Sequence, residues 1–504
     1  MQQKLRRHLR AGSIALALFA LVATFGAPRA HAEEFEQERQ HALALGLKAY
    51  EYGQPLLDSE RIYRTATSVT VPDHLGDAPV NQFSHFLELA TERHGVVAPN
   101  VDTLYSTAWL DLTAQPIVLH VPESGRFNVV QLLSPYTEDF SNIGSGASGL
   151  LAPGDYVIAG PTQLVGRETS SGLKVIHSLY ARVWIIARTL AMSHEDLTNA
   201  LALQESTKLV PMNKWSSEGL GYKPAQPTTL ITSPWPYTIP GAAGLFPLSY
   251  WAALGRALKQ FPPPVADKPL LEQLAKLNIG PGLSPTTANS SEGTLAGLIE
   301  AVNLGPSQVT GDIEAQLNEG FTAHNGWLVG DLGNYSTNYE LRVITDRLGI
   351  GALTPNVSVY MAALTDRTGA ELTGGVSRYV AHFPASDFPM PVQGAWSITM
   401  YKANGRFVEN ALNRFALGDR SNLHFNPDGS LDIYLQATQP SSETQRENWL
   451  PAPIGSFQLV MRLYGLTETA IPGILDGGEG PWQPPTVQRC LLSGKTTAGW
   501  VCAR

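Results

Sequence analysis

Cysteine is almost missing from this chain. Of 504 residues only Cys490 and Cys502 carry a thiol, both within the last fifteen positions. In an oxidising compartment an isolated pair usually bridges, and closing so short a loop stabilises by about 3 kcal/mol, mostly through the unfolded state. The expectation is a disulfide clasp for the C-terminal tail; the rival reading, a redox pair or half a metal site, has no neighbouring histidine to complete it. Metal-ligand spacing is lacking elsewhere too. None of the ten histidines beyond residue 32 stands in His-x-His or His-x-x-x-His spacing. The nearest cluster (His85, Glu88, Glu92, His94) runs into a stretch that reads as a helix end, so a metal would have to be held by distant residues. No glycine-rich phosphate loop follows a strand, and no Gly-x-Ser-x-Gly elbow occurs. Ser171-Gly-Leu-Lys174 matches Ser-x-x-Lys, as chance allows in a serine-rich chain. No metal and no organic cofactor is therefore expected.

Positive charge is also scarce. Lys and Arg number 35 against 44 Asp and Glu. Setting aside residues 1–32 removes five cations and no acid, leaving 30 against 44, a formal charge of −14. That balance lacks the footprint of a nucleic-acid binder or of an anionic-membrane binder. Long apolar runs are missing except near the start, where Ile14 to Phe25 follows the basic residues Lys4, Arg6, Arg7 and Arg10. The run is shorter than the roughly 20 residues a bilayer needs, and Ala30-His31-Ala32 ends it with small residues at the positions a signal peptidase reads. Residues 1–32 are expected to be a cleaved bacterial export signal. Arg6-Arg7 raises a twin-arginine route, which His8-Leu9-Arg10 fits poorly, and no cysteine marks a lipoprotein. The mature protein is expected to be soluble, periplasmic or secreted, with no membrane partner.

What remains exceeds one comfortable hydrophobic core. Ala42, Leu45, Ala49 and Tyr52 recur at helical spacing from Glu33 to about Val69, with Pro55 predicted to break the run. From Leu104 to about Thr189 the period drops to two in short segments (104–110, 117–121, 127–133, 156–159, 174–177, 181–187), the spacing of a β-sandwich or jelly roll. A capping-type start at Ser193 opens a helical middle third: 250–259, 270–277, 294–302 and 339–348. Its Pro-rich loop from Lys223 to Pro247 carries Trp235, Tyr237 and Phe246 and is expected to pack. Alternation returns at 357–364, 379–383, 396–401, 431–435 and 457–463, with turn signals at Asn404-Gly405 and Asp428-Gly429. Gly-Arg-Phe recurs at 125–127 and 405–407. The expectation is an α+β, predominantly β fold of two β-sandwich modules. Its predicted boundaries are 33–192 for a helical entry plus the first sandwich, 193–350 for a helical insert, and 351–504 for the second sandwich and tail.

Two stretches carry most of the polar and aromatic residues. The first runs Ala98-Pro-Asn-Val-Asp-Thr-Leu-Tyr-Ser-Thr-Ala-Trp-Leu-Asp-Leu112 and Gly125-Arg-Phe-Asn-Val-Val-Gln-Leu132. The second runs Gly394-Ala-Trp-Ser-Ile-Thr-Met-Tyr401 through Arg414, Asp419-Arg420 and Asp428-Gly-Ser-Leu-Asp-Ile-Tyr-Leu435 to Glu447-Asn-Trp-Leu-Pro-Ala-Pro453. Together they resemble the bacterial two-domain family of paired domains of unknown function numbered 1254 and 1214, over roughly residues 40 to 485. The resemblance implies the same two-module layout and no established reaction.

Each candidate site residue has two readings. Asn100 and Asp102 either close an Asx-type turn or aim polar groups, with Tyr105, at a ligand from a sandwich rim, Asp102 acting as general base. Arg126 or Arg342 is the candidate anion-orienting group. Gln131 lies an odd number of residues from Arg126 on the same strand and faces the other side; in so apolar a run it must be hydrogen-bonded if buried. Spacing of three and four puts Asn338 and Arg342 on one helical face, and Tyr335 beside Tyr339. They either close a cleft, with Tyr339 as a second acid/base candidate, or hold an exposed Arg342–Asp346 pair worth little. Trp396 and Trp449 could stack on a sugar or aromatic ring, while Asp419 and Arg420 read as a structural pair. The functional expectation is an enzyme, a hydrolase or lyase acting on a small organic or carbohydrate-like substrate between the modules. The alternative is a non-catalytic periplasmic ligand-binding or structural module. A homo-oligomer is compatible with either.

Overall fold

The computed structural model describes residues 2–504 apart from 93–97, 164–165, 167–171, 231–246, 376, 477–479, 481, 493–499 and 503–504; for residues 2–30, 319–320, 491–492 and 500–502 it describes the backbone alone. The side chains of residues 1–30, most of the Lys223–Pro247 loop and His94 thus lie outside the described residues. Among the described residues no helix is long and apolar enough to cross a membrane.

The chain divides into two compact units. One comprises residues 1–57 and 237–311, the other residues 58–236 and 312–504. The first is helical, built from the leading helix (Gln2–Ala66) with Pro247–Gln260, Lys268–Leu274 and Glu292–Ala315. Gly297 and Gly305 let these helices approach closely: a Cβ on Gly297 would meet the Arg39 carbonyl at 2.2 Å, and one on Gly305 the Tyr50 ring at 2.5 Å. Buried Trp251 donates its indole N–H to the Leu298 carbonyl (3.2 Å), and buried Tyr52 donates to Asp267 (3.0 Å). The predicted break at Pro55 does not occur; the helix continues to Ala66. Proline removes one backbone hydrogen bond, and burial of Tyr50, Tyr52, Leu56 and Leu57 around it outweighs that loss.

Among the described residues the second unit contains four sheets, giving the α+β, β-rich fold expected from the alternation. The inner sheet of the first module orders Ser84–His85, Thr103–Asp111, Arg182–Leu190, Asn128–Leu133 and Asp139–Ser145, all antiparallel. Its outer sheet orders Lys174–His177, Gly154–Ala159, Ile117–Val121 and Lys208–Pro211. Ala108, Leu110, Val130, Leu132, Val183 and Ile185 pack there against Leu119, Val121 and Ile158.

The second module repeats the plan. Its inner sheet centres on Phe457–Leu466, flanked by Ser358–Ala363 and Val392–Lys402. Its outer sheet centres on Arg378–Phe383, flanked by Leu431–Gln436 and Thr486–Leu492. Val359, Met361, Ile398, Met400, Leu459 and Met461 meet Ala381, Phe383, Ile433 and Leu435 in its core.

Side chains alternate across a strand, so each inner sheet has a second face. Those second faces meet each other: Phe127, Val129 and Leu190 of the first module pack with Val357, Ala395 and Tyr464 of the second. On the neighbouring outer strands Cys490 and Cys502 stand directly opposite in antiparallel register, and such opposed residues have the Cα separation a disulfide needs.

Candidate functional site between the inner sheets

The second faces of the inner sheets combine apolar edges with a polar, aromatic centre. In the first module Arg188 occupies the central strand, directly opposite Tyr105 on one neighbour and Val129 on the other. In the second, Arg462 occupies the central strand, directly opposite Tyr360 and Ser397. Each module therefore presents the same cross-strand Tyr–Arg pair toward the other.

Arg188 is 5% exposed and Arg462 is 4% exposed, whereas Tyr105 and Tyr360 keep solvent-accessible surface. Arg188 donates to the Tyr105 hydroxyl (3.3 Å), the Gln131 side-chain oxygen (2.9 Å) and the Gly351 carbonyl (2.7 Å). Arg462 donates to the Thr399 hydroxyl, the Ala98 carbonyl and the Tyr401 hydroxyl, each at 3.0 Å. All six acceptors are neutral. The Arg462 Nε–H is buried and has no hydrogen-bond partner among the described residues.

The electrostatics follow from this pairing. Burial alone would raise the Tyr105 phenol, but Arg188 beside it, aided by Arg462 and Asn100, outweighs burial and brings it below the ordinary phenol range. Tyr360 is held above that range by burial, although Arg188 opposes it. Each arginine thus acts on the other module's tyrosine as well as on its own. Burial also raises Asp139 to about 6, against hydrogen bonds from Asn142 and Gln131. Gln131 is fully buried and fully engaged, donating to Asp139 and the Ala352 carbonyl, each at 3.0 Å, while accepting from Arg188.

Asn100 and Asp102 sit at the rim of this layer with their capacity used. The Asn100 side-chain oxygen accepts the Asp102 backbone N–H (2.8 Å), closing an Asx turn, and its amide donates to Thr103 (3.1 Å) and Tyr464 (2.9 Å). The buried Asp102 carboxylate accepts from Arg420 (2.5 Å) on one oxygen and from Ser397 (2.6 Å) and Tyr464 (2.9 Å) on the other. A carboxylate held by a guanidinium and two hydroxyls has its oxygens already engaged inside the protein. Asp102 joins the modules instead, and Arg420 also reaches Asp419 (2.9 Å).

Other sequence candidates occupy different places. Arg126 binds both oxygens of Asp196 and also the Leu190 carbonyl (3.1 Å), and the ion pair holds the Asp196 carboxyl well below its usual range. It has a carboxylate already and no need of a ligand's. Asn338 is exposed and caps the helix Tyr339–Gly349 by accepting the Leu341 N–H (3.0 Å). Arg342 is buried, pairs with Glu138 (3.0 Å) and lies over the Tyr339 ring at 5.4 Å, so the expected exposed Arg342–Asp346 pair is not formed. Tyr335 is buried, and burial raises its phenol; its backbone N–H donates to Glu138 (2.8 Å). This group meets the first module at Glu138, next to Asp139, and among the described residues makes no hydrogen bond to Asn100, Asp102 or Tyr105.

Trp449 is buried and donates its indole N–H to the Gln436 carbonyl (2.8 Å). Trp396 is core on one side and lines a surface cleft of about 390 Å³ with Phe388, Asp419 and Phe425 on the other. His85 shares a hydrogen bond with Ser106 (2.8 Å), and among the described residues no group of three or more His, Cys, Asp or Glu is placed to hold a metal ion. The residues that sequence reasoning missed are Arg188, Arg462 and Tyr360. A charged residue inside an otherwise apolar strand marks a buried partner-seeking group. The rule that singled out Gln131 would have found both arginines.

The comparisons agree with this two-module plan. The profile described as Protein of unknown function (DUF1254) matches residues 80–211, and Protein of unknown function (DUF1214) matches residues 357–468. The chain therefore has the paired-domain architecture of these two families. Among solved structures it is similar to the VPA0106 protein from Vibrio parahaemolyticus, at 22% identity and TM-score 0.61, covering 89% of this chain and 99% of that one. An uncharacterized protein from Burkholderia cenocepacia aligns at 12% identity and TM-score 0.40, covering 91% and 95%. No curated protein matches the sequence.

Proposed function

We propose that this is an exported protein that acts on a small organic molecule received between the two inner sheets, with Tyr105 as the group that moves a proton. The observation that carries this reading is the buried contact of the Tyr105 hydroxyl with Arg188, which draws the phenol below its ordinary range. A more acidic phenol gives and takes a proton nearer neutral pH, as general acid–base catalysis requires. Hydrolysis and elimination both need such a group and no organic cofactor. The rival reading is a non-catalytic binding module, favoured by the full engagement of Asp102, which leaves the rim without a free carboxylate base.

Tyrosinate absorbance during a pH titration tests the assignment. Tyr105→Phe should remove the earliest-ionising phenol, and it should abolish any turnover found in a screen of 4-nitrophenyl esters and glycosides. Turnover that survives the substitution sinks the assignment; ligand binding without turnover favours the binding module. Export has its own check. Mature protein recovered from the periplasm should begin at Glu33 and show no alkylatable thiol without reductant. Two reactive cysteines would exclude the Cys490–Cys502 bridge.

A further inference from the structure

Resting on that placement of the site, we propose that its ligand is a small organic carboxylate, held between Arg188 of the first module and Arg462 of the second. A guanidinium carries five N–H donors. Arg188 and Arg462 each use three, leaving two apiece, and the Nε–H of Arg462 is among those unused. Both cations are nearly buried, and among the described residues neither has a carboxylate in ion-pair contact. The two acids that act on them through space are otherwise engaged. Asp139 is bound by Asn142 and Gln131, and Asp102 by Arg420, Ser397 and Tyr464. Two buried positive charges without a counter-ion are costly, and an entering anion removes that cost while meeting unused donors.

The surroundings select an organic anion over an inorganic one. Solvent reaches the tyrosines opposite each arginine, and Val129, Leu190 and Ala395 line the same faces. The tyrosines offer ring surface to a carbon skeleton, while a planar carboxylate matches the fork of a guanidinium. The arginines lie on the central strands of two hydrogen-bonded sheets, so their positions are set before a ligand arrives.

The test compares 4-bromobenzoate with 4-bromobenzamide, alike in shape and different in charge, and with inorganic phosphate. Calorimetry on the mature protein should give a dissociation constant at least about tenfold lower for the benzoate than for the amide or phosphate. Bromine anomalous scattering from soaked crystals should place the benzoate between the inner sheets, with its carboxylate on both arginines. Arg462→Gln should erase the preference for charge; should that variant not fold, the wild-type comparison alone decides. Equal binding of benzoate and amide between the sheets, or preference for phosphate, overturns the carboxylate assignment and leaves the site standing. Bromine located elsewhere, with nothing between the sheets, overturns both.

Discussion

Arg420, with 12% of its side chain exposed, and buried Arg462 belong to the same module and serve opposite ends. Arg420 lies between two carboxylates, those of Asp102 and Asp419, and its charge is compensated inside the protein. Arg462, like Arg188 across the interface, holds only neutral oxygens and keeps donors in reserve. The difference teaches which polar groups belong to the architecture. A buried ion pair with every lone pair met is a fastening. A buried cation with neutral partners and spare donors is incomplete, and the proposed carboxylate would complete it. The residues most visible in the sequence, Asn100 and Asp102, fall on the fastened side.

The sharpest way to break the comparison is to unfasten that side. Asp102→Asn keeps the size and removes the charge, leaving Arg420, among the described residues, with Asp419 alone to answer it. Removing one partner of a buried pair typically costs about 3–5 kcal/mol, and urea unfolding should show a loss of that size. A loss under about 1 kcal/mol would mean that Asp102 is no fastening, and the general-base reading would return.

A middle-sized effect comes from Asp139, one amide away from Arg188 through Gln131. Its carboxyl is raised by burial from 3.8 to about 6. Between those values the unfolded chain releases the proton while the folded chain keeps it, so stability falls as pH rises through this window and the loss is complete above about 6. The loss is at most about 3 kcal/mol. In Asp139→Asn the pH 4 to 6 slope should flatten by that amount relative to wild type. An unchanged slope would show that Arg188 already compensates Asp139 through the amide, and the open cluster would be less open than drawn.

Much of the fold was legible and rather less of the site. Strands such as Ile117–Val121 and Lys174–His177 stand where the alternation predicts them. Several of those missed are short or broken by glycine and polar residues: Asp139–Ser145 reads Asp-Phe-Ser-Asn-Ile-Gly-Ser, and Ala416–Gly418 and Trp449–Pro451 have three residues each. So short a strand has too few positions to show a period, and its pairing comes from neighbours distant in sequence. The same distance hid the site. Period two says that Arg188 and Arg462 face away from their own sandwich cores. It does not say that the two faces meet, because that depends on how the modules pack. Asn100 and Asp102 looked functional because polar loop residues usually do; their partners, Tyr464, Ser397 and Arg420, lie about 300 residues or more away.

The smallest effect concerns Arg126, one of the two arginines that the sequence offered as an anion-orienting group. It already holds both oxygens of Asp196 and the Leu190 carbonyl, with 18% of its side chain exposed and 15% of its partner's. Water screens a pair so placed, and Arg126→Ala should cost about 1 kcal/mol or less. Asp196 also accepts the Met192 N–H (3.0 Å) and the Asn199 amide (3.1 Å), so it is not left without partners when the guanidinium goes. The affinity for 4-bromobenzoate should stay within about twofold, under about 0.5 kcal/mol. A tenfold weakening would make Arg126 part of the ligand's counter-charge. The division between fastened and open arginines would then have to be redrawn with Arg126 among the open ones, despite the carboxylate it holds.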